Sequence, residues 1–64
     1  MEYDIAVRGQ LSPSVAAAFG EFDLVIDGSN TVLRGDVIDQ AALHGVINRI
    51  ERFGLVLLDL HATT

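Results

Sequence analysis

Few residues in this chain can move a proton, attack a carbonyl or hold a metal: two histidines, three serines and nine carboxylates, with no cysteine. His44 is the most interesting, with Gln40 one helical turn before it and Asn48 one turn after. An imidazole there changes charge near neutrality and suits a proton shuttle or pH sensor, with Glu51 or Asp36 as its acid. No nucleophile lies close in sequence, so a solvated helix-surface histidine explains it more simply. His61 stands beside the terminal Ala62-Thr63-Thr64 and reads as a tail residue. Asp36, Asp39 and Asp59 are carboxylate ligands in type, but spacings of three and twenty fit no calcium loop. A helix cap and two surface charges account for them. Ser12, Ser14 and Ser29 have no histidine–acid pair and lie in no nucleophile elbow. Gly9, Gly28 and Gly35 form no phosphate-binding pattern. No catalytic residue, metal ligand or cofactor is assigned, and the chain is expected not to be an enzyme.

The elements around these residues are easier to read. Asp39 is a natural N-cap, and Ala42, Leu43, Val46, Ile47, Ile50 and Phe53 recur at three- and four-residue spacing behind it. Arg49 and Arg52 fall in the last turns, and Gly54 supplies the left-handed stop. Leu55 to Leu60 follows as a strand that hardly alternates, so both its faces want cover. Upstream, Tyr3, Ile5 and Val7 alternate as a first strand. Ser12-Pro13 opens a short helix to Phe19 that Gly20 ends. Phe22, Leu24 and Ile26 form a second strand, joined through Asp27-Gly28-Ser29-Asn30 to Thr31–Gly35 as a hairpin. Either Asp27-Gly28 or Gly28-Ser29 can sit at its corner.

The order is strand, helix, strand, strand, helix, strand over one domain, residues 1–64. Right-handed crossovers favour an α+β fold of the ferredoxin-like split βαβ type (βαββαβ). Its four-stranded antiparallel sheet would carry both helices on one face, with the first and third strands central. Tyr3, Ile5, Val7, Phe22, Leu24, Ile26, Leu33, Val56, Leu58 and Leu60 would face the helices. The open face would show Ala6, Val25, Val32, Leu55 and Leu57, with Arg8, Arg34, Asp4, Asp23 and Asp59 around them. An apolar centre ringed by charge describes an interface, and those five apolar residues are its candidates.

Composition points the same way. Half the 64 residues are hydrophobic and six more are glycine, above the usual ~45–50% for the two together. A core this small roughly breaks even against conformational entropy, and without cysteine there is no disulfide to help. Self-association is the remaining staple, so a homodimer is expected, by stacking of the open faces in preference to edge-to-edge pairing of the fourth strands, with a protein partner as a further expectation. The net charge of −5, with four arginines and no lysine, disfavours nucleic acid and anionic membranes. No apolar run approaches ~20 residues and no basic leader precedes one, so no membrane span is expected and the cytoplasm is the default.

Gly9-Gln10-Leu11-Ser12-Pro13, Val32-Leu33-Arg34-Gly35 and Asp39-Gln40-Ala41-Ala42-Leu43-His44-Gly45 resemble short uncharacterised proteins of actinomycete bacteria, over nearly the whole chain. That resemblance implies no activity. The topology also resembles ACT-type regulatory domains, which sense ligands and commonly pair. It implies a small molecule bound between protomers near Gln10 and Ser12, although this chain lacks the proline-glycine pair of that family's ligand loop. The leading expectation is a non-catalytic protein-interaction or regulatory module acting as a homodimer; the alternative is an ACT-like small-molecule sensor.

Overall fold

The computed structural model describes residues 1–63. Six elements follow in order: β1 (Glu2–Val7), α1 (Pro13–Ala17), β2 (Asp23–Asp27), β3 (Asn30–Asp36), α2 (Gln40–Arg52) and β4 (Leu57–Ala62). The strands form one antiparallel sheet in the order β2-β3-β1-β4. β1 and β3 are central, and each helix crosses over a neighbouring strand, which is the split βαβ arrangement. Ile5, Val7 and Leu33 from the central strands meet Phe19 and the Leu43, Val46 and Ile50 stripe of α2 in one core. Both helices therefore lie on the same face of the sheet.

Local chemistry sets the helix ends. The Asp39 carboxylate accepts from the Ala42 amide at 2.8 Å, and the Ser12 hydroxyl accepts from Val15 at 3.4 Å. At the far end of α2, Gly54 (φ 71°) closes a Schellman motif: its amide donates to Glu51 and the Leu55 amide to Ile50. That motif brings the residue after the glycine back against the last turn. Leu55 thus packs on the core and β4 begins two residues later than expected, at Leu57.

The β2–β3 corner is settled by pairing. Asp27 faces Asn30, so Gly28-Ser29 is the two-residue loop, with positive φ at Gly28 alone. This is the pattern of a II′ hairpin.

Several expected core positions are open instead. Leu24 and Ile26 keep 36% and 58% of their surface, and Val56 and Leu58 are also exposed. For Leu24 and Ile26 the cause is the length of α1: five residues rise only about 7.5 Å, too little to roof β2. Phe19, just beyond α1, and Val37, in the β3–α2 connection, are buried in their place.

Candidate functional site

The residues with chemical potential do not converge. His44 is exposed on α2, and Asp39 is occupied as a cap. Asp36 pairs with the Met1 amino group at 2.9 Å, while Asp59 contacts His61 Nδ1 at 3.0 Å. Among the described residues, no group of three histidines and carboxylates is placed to hold a metal ion. Gln10 is exposed before α1, and the Ser12 hydroxyl serves the helix cap. A groove of about 360 Å³ runs between α2 and the β3–α2 connection, with Val37, Ile38, Val46 and Arg49 in its walls. Gln10 and Ser12 contribute nothing to it.

The face of the sheet away from the helices is organised in rows by strand register. Asp23, Arg34, Asp4 and His61 stand opposite one another across all four strands, with Arg34 between two carboxylates. Arg34 grips Asp4 through both carboxylate oxygens, Nε to Oδ1 at 2.9 Å and Nη2 to Oδ2 at 3.2 Å. That hydrogen-bonded guanidinium holds the Asp4 carboxyl below its ordinary value. The next row is Val25, Val32, Ala6 and Asp59. Ala6 and Val32 are half-buried and Val25 is exposed, so the three expected apolar residues of the open face do lie together.

Leu55 and Leu57 do not join them. Leu55 follows the Schellman turn into the core. Leu57 stands opposite Val7, whose side chain is fully buried among the helices. Directly opposed residues share a face, so Leu57 belongs to the helix side. A β-bulge is responsible: Asp59 faces Ala6 and Leu57 faces Val7, which leaves Leu58 as the extra residue. The bulge re-phases the strand, and no alternation rule applied to the sequence anticipates it.

The apolar surface therefore concentrates elsewhere. Val56, Leu57 and Leu58, with Phe53 just before them, each keep between 37% and 45% of their surface. They lead into β4, a strand paired on one side only among the described residues. β2, at the other edge, carries Asp23 and Asp27 at its ends, the charges that protect an edge from stray pairing. At its start β4 carries no charge before Asp59, only the bulge at Leu58.

A family model covers residues 2–61, and its description is a domain of unknown function, DUF8691. The chain belongs to the DUF8691 family. No curated protein matches it. Within this DUF8691 fold, no helix of the described residues is long and apolar enough to cross a membrane.

Proposed function

We infer that this DUF8691 chain is a non-catalytic protein-interaction module that works as a homodimer. One observation carries the inference: three consecutive large apolar residues, Val56 to Leu58, stay open to water at a sheet edge that carries no charge before Asp59. Burying apolar surface is worth roughly 25 cal/mol per Å², so a second chain at this edge gains what a lone protomer leaves unused. The open face is the weaker candidate. Its apolar centre of Ala6, Val25 and Val32 is ringed by Asp4, Asp23, Asp27 and Asp59. Arg34, in register between Asp4 and Asp23, is already held by Asp4, so stacking two such faces brings mostly carboxylates together.

Light scattering on the purified chain tests this directly, and a mass twice that of one chain is expected. A mass of one chain at every soluble concentration removes the dimer. A thermal-shift screen over amino acids and nucleotides runs beside it, since a ligand selective for the native state raises the melting temperature. A stabilising ligand whose effect disappears on changing Gln10 or Ser12 would replace the interaction reading with small-molecule sensing of the ACT type.

A further inference from the structure

We propose that two copies join through the free edge of β4, antiparallel, about a two-fold axis beside Leu60, so that each Asp59 faces the partner's His61. The proposal rests on the homodimer reading above and adds its geometry. Backbone alternation comes first. The Thr63 amide donates to the Glu2 carbonyl at 2.8 Å, and the register continues as Ala62 with Tyr3, His61 with Asp4 and Leu60 with Ile5. In an antiparallel ladder, alternate residues turn their amides and carbonyls to opposite sides. Thr63, His61 and Asp59 spend theirs on β1, which leaves those of Leu60 and Ala62 aimed at the open edge.

Charge then selects the register. A strand pairing with itself about a two-fold axis must have one residue opposite its own copy or straddle the axis, and opposed residues must share a face. An axis at Asp59 sets that carboxylate against its own copy, and like charges directly opposed are destabilising. An axis at His61 sets Asp59 against the partner's Thr63 and leaves exposed Leu58 with no apolar residue opposite it. An axis at Leu58 falls in the bulge and places Asp59 against the partner's Leu57. An axis at Leu60 sets Asp59 against the partner's His61, twice by symmetry. It also covers exposed Leu58 with the partner's Ala62 and gives Leu60 the pair of edge hydrogen bonds it needs. The same sheet then has eight strands, with apolar contacts on the helix side and the Asp59–His61 pairs on the other.

The chain has no cysteine, so cross-linking reads the register cleanly. Asp59 and His61 are both exposed, and replacing either leaves the core intact. Asp59→Cys and His61→Cys chains are prepared separately, then oxidised alone and mixed. Opposed residues of a non-hydrogen-bonded pair lie about 4.5 Å apart at Cα, within disulfide range, so the mixture should form linked dimers at least ~tenfold faster than either chain alone. Either single variant linking as fast as the mixture overturns the register. No link in the mixture, from a native chain that scatters as a dimer, overturns the edge and leaves the homodimer standing. A native chain of single mass overturns both.

Discussion

The ring of Phe22 occupies the space that a side chain on Gly35 would need. A Cβ built on Gly35 would lie 2.6 Å from Phe22 Cδ1 and 3.2 Å from Cε1. Phe22 is buried just ahead of β2, packed on the core on one side and bordering the groove beside Val37 on the other. Alanine for glycine restricts the unfolded chain and on that account stabilises by up to ~1 kcal/mol. Overpacking opposes it at ~1–3 kcal/mol, and at this separation overpacking wins. Gly35→Ala should lower the urea midpoint without changing the slope of the transition. An unchanged or raised midpoint would show that the ring yields freely.

Arg49 ties the two helical segments together. Its Nη1 donates to the Ala18 carbonyl at 2.8 Å and to Glu21 at 3.0 Å, and its guanidinium lies 5.2 Å from the centre of the Phe19 ring. The Ala18 carbonyl ends a short helix and has few other donors. Arg49→Met keeps the aliphatic stem but removes the donors and the charge, and should cost about 1–2 kcal/mol. Glu21 is half exposed, so Glu21→Ala should cost no more than ~1 kcal/mol. Chemical denaturation of the two variants side by side checks the order, and a larger loss for Glu21→Ala would put the weight on the ion pair instead.

Asp4 links stability to acid. Its hydrogen bonds from Arg34, opposed by desolvation and aided by the charges of Arg34 and His61, set its carboxyl below the ordinary 3.8. A carboxylate whose folded value is depressed stabilises the fold fully above its unfolded value. That contribution drains away as pH falls through the lower folded value. The window is therefore acidic, beginning just under 3.8. The partner shift, Arg34 raised by the same hydrogen bonds, would be lost only in strong alkali. Asp4→Asn should flatten the fall in urea midpoint from about pH 4 downward, while an identical acid limb in both proteins would mean that the pair is idle.

How much of this was legible in the sequence depends on whether the cause was local. The α2 stripe and the caps at Ser12 and Asp39 come from neighbours three or four residues apart and read directly, and the order of strands follows from crossover handedness once the elements are placed. Val37 is buried by tertiary contact alone, and no periodicity marks it. Arg49 looks like a helix-end charge by its position, and its work on Ala18 and Phe19 depends on where α1 docks. Leu57 was misplaced because one extra residue in β4 inverts the phase, a choice made by β1 and not by the strand's own pattern. The II′ corner needed the register of both strands before Gly28-Ser29 could be chosen. The candidate edge was half visible: the apolar run is plain, but which side of the sheet it serves is not.

Two exposed apolar residues at opposite edges separate assembly from folding. Ile26 lies on β2, which has a carboxylate at each end, and Leu58 at the start of β4, ahead of that strand's first charge. Since both are exposed in one protomer, polar substitution at either should change intrinsic stability little, within about 0.5 kcal/mol. Their effects on pairing should differ. A dimer that dissociates on unfolding has a melting temperature that rises with protein concentration. The native chain and Ile26→Asp should keep that rise, whereas Leu58→Asp, which sets a carboxylate beside the partner's Leu60 and Ala62, should lose most of it. Melting curves over a hundredfold range of concentration decide the matter, because a slope lost with Ile26→Asp and kept with Leu58→Asp would move the contact to β2.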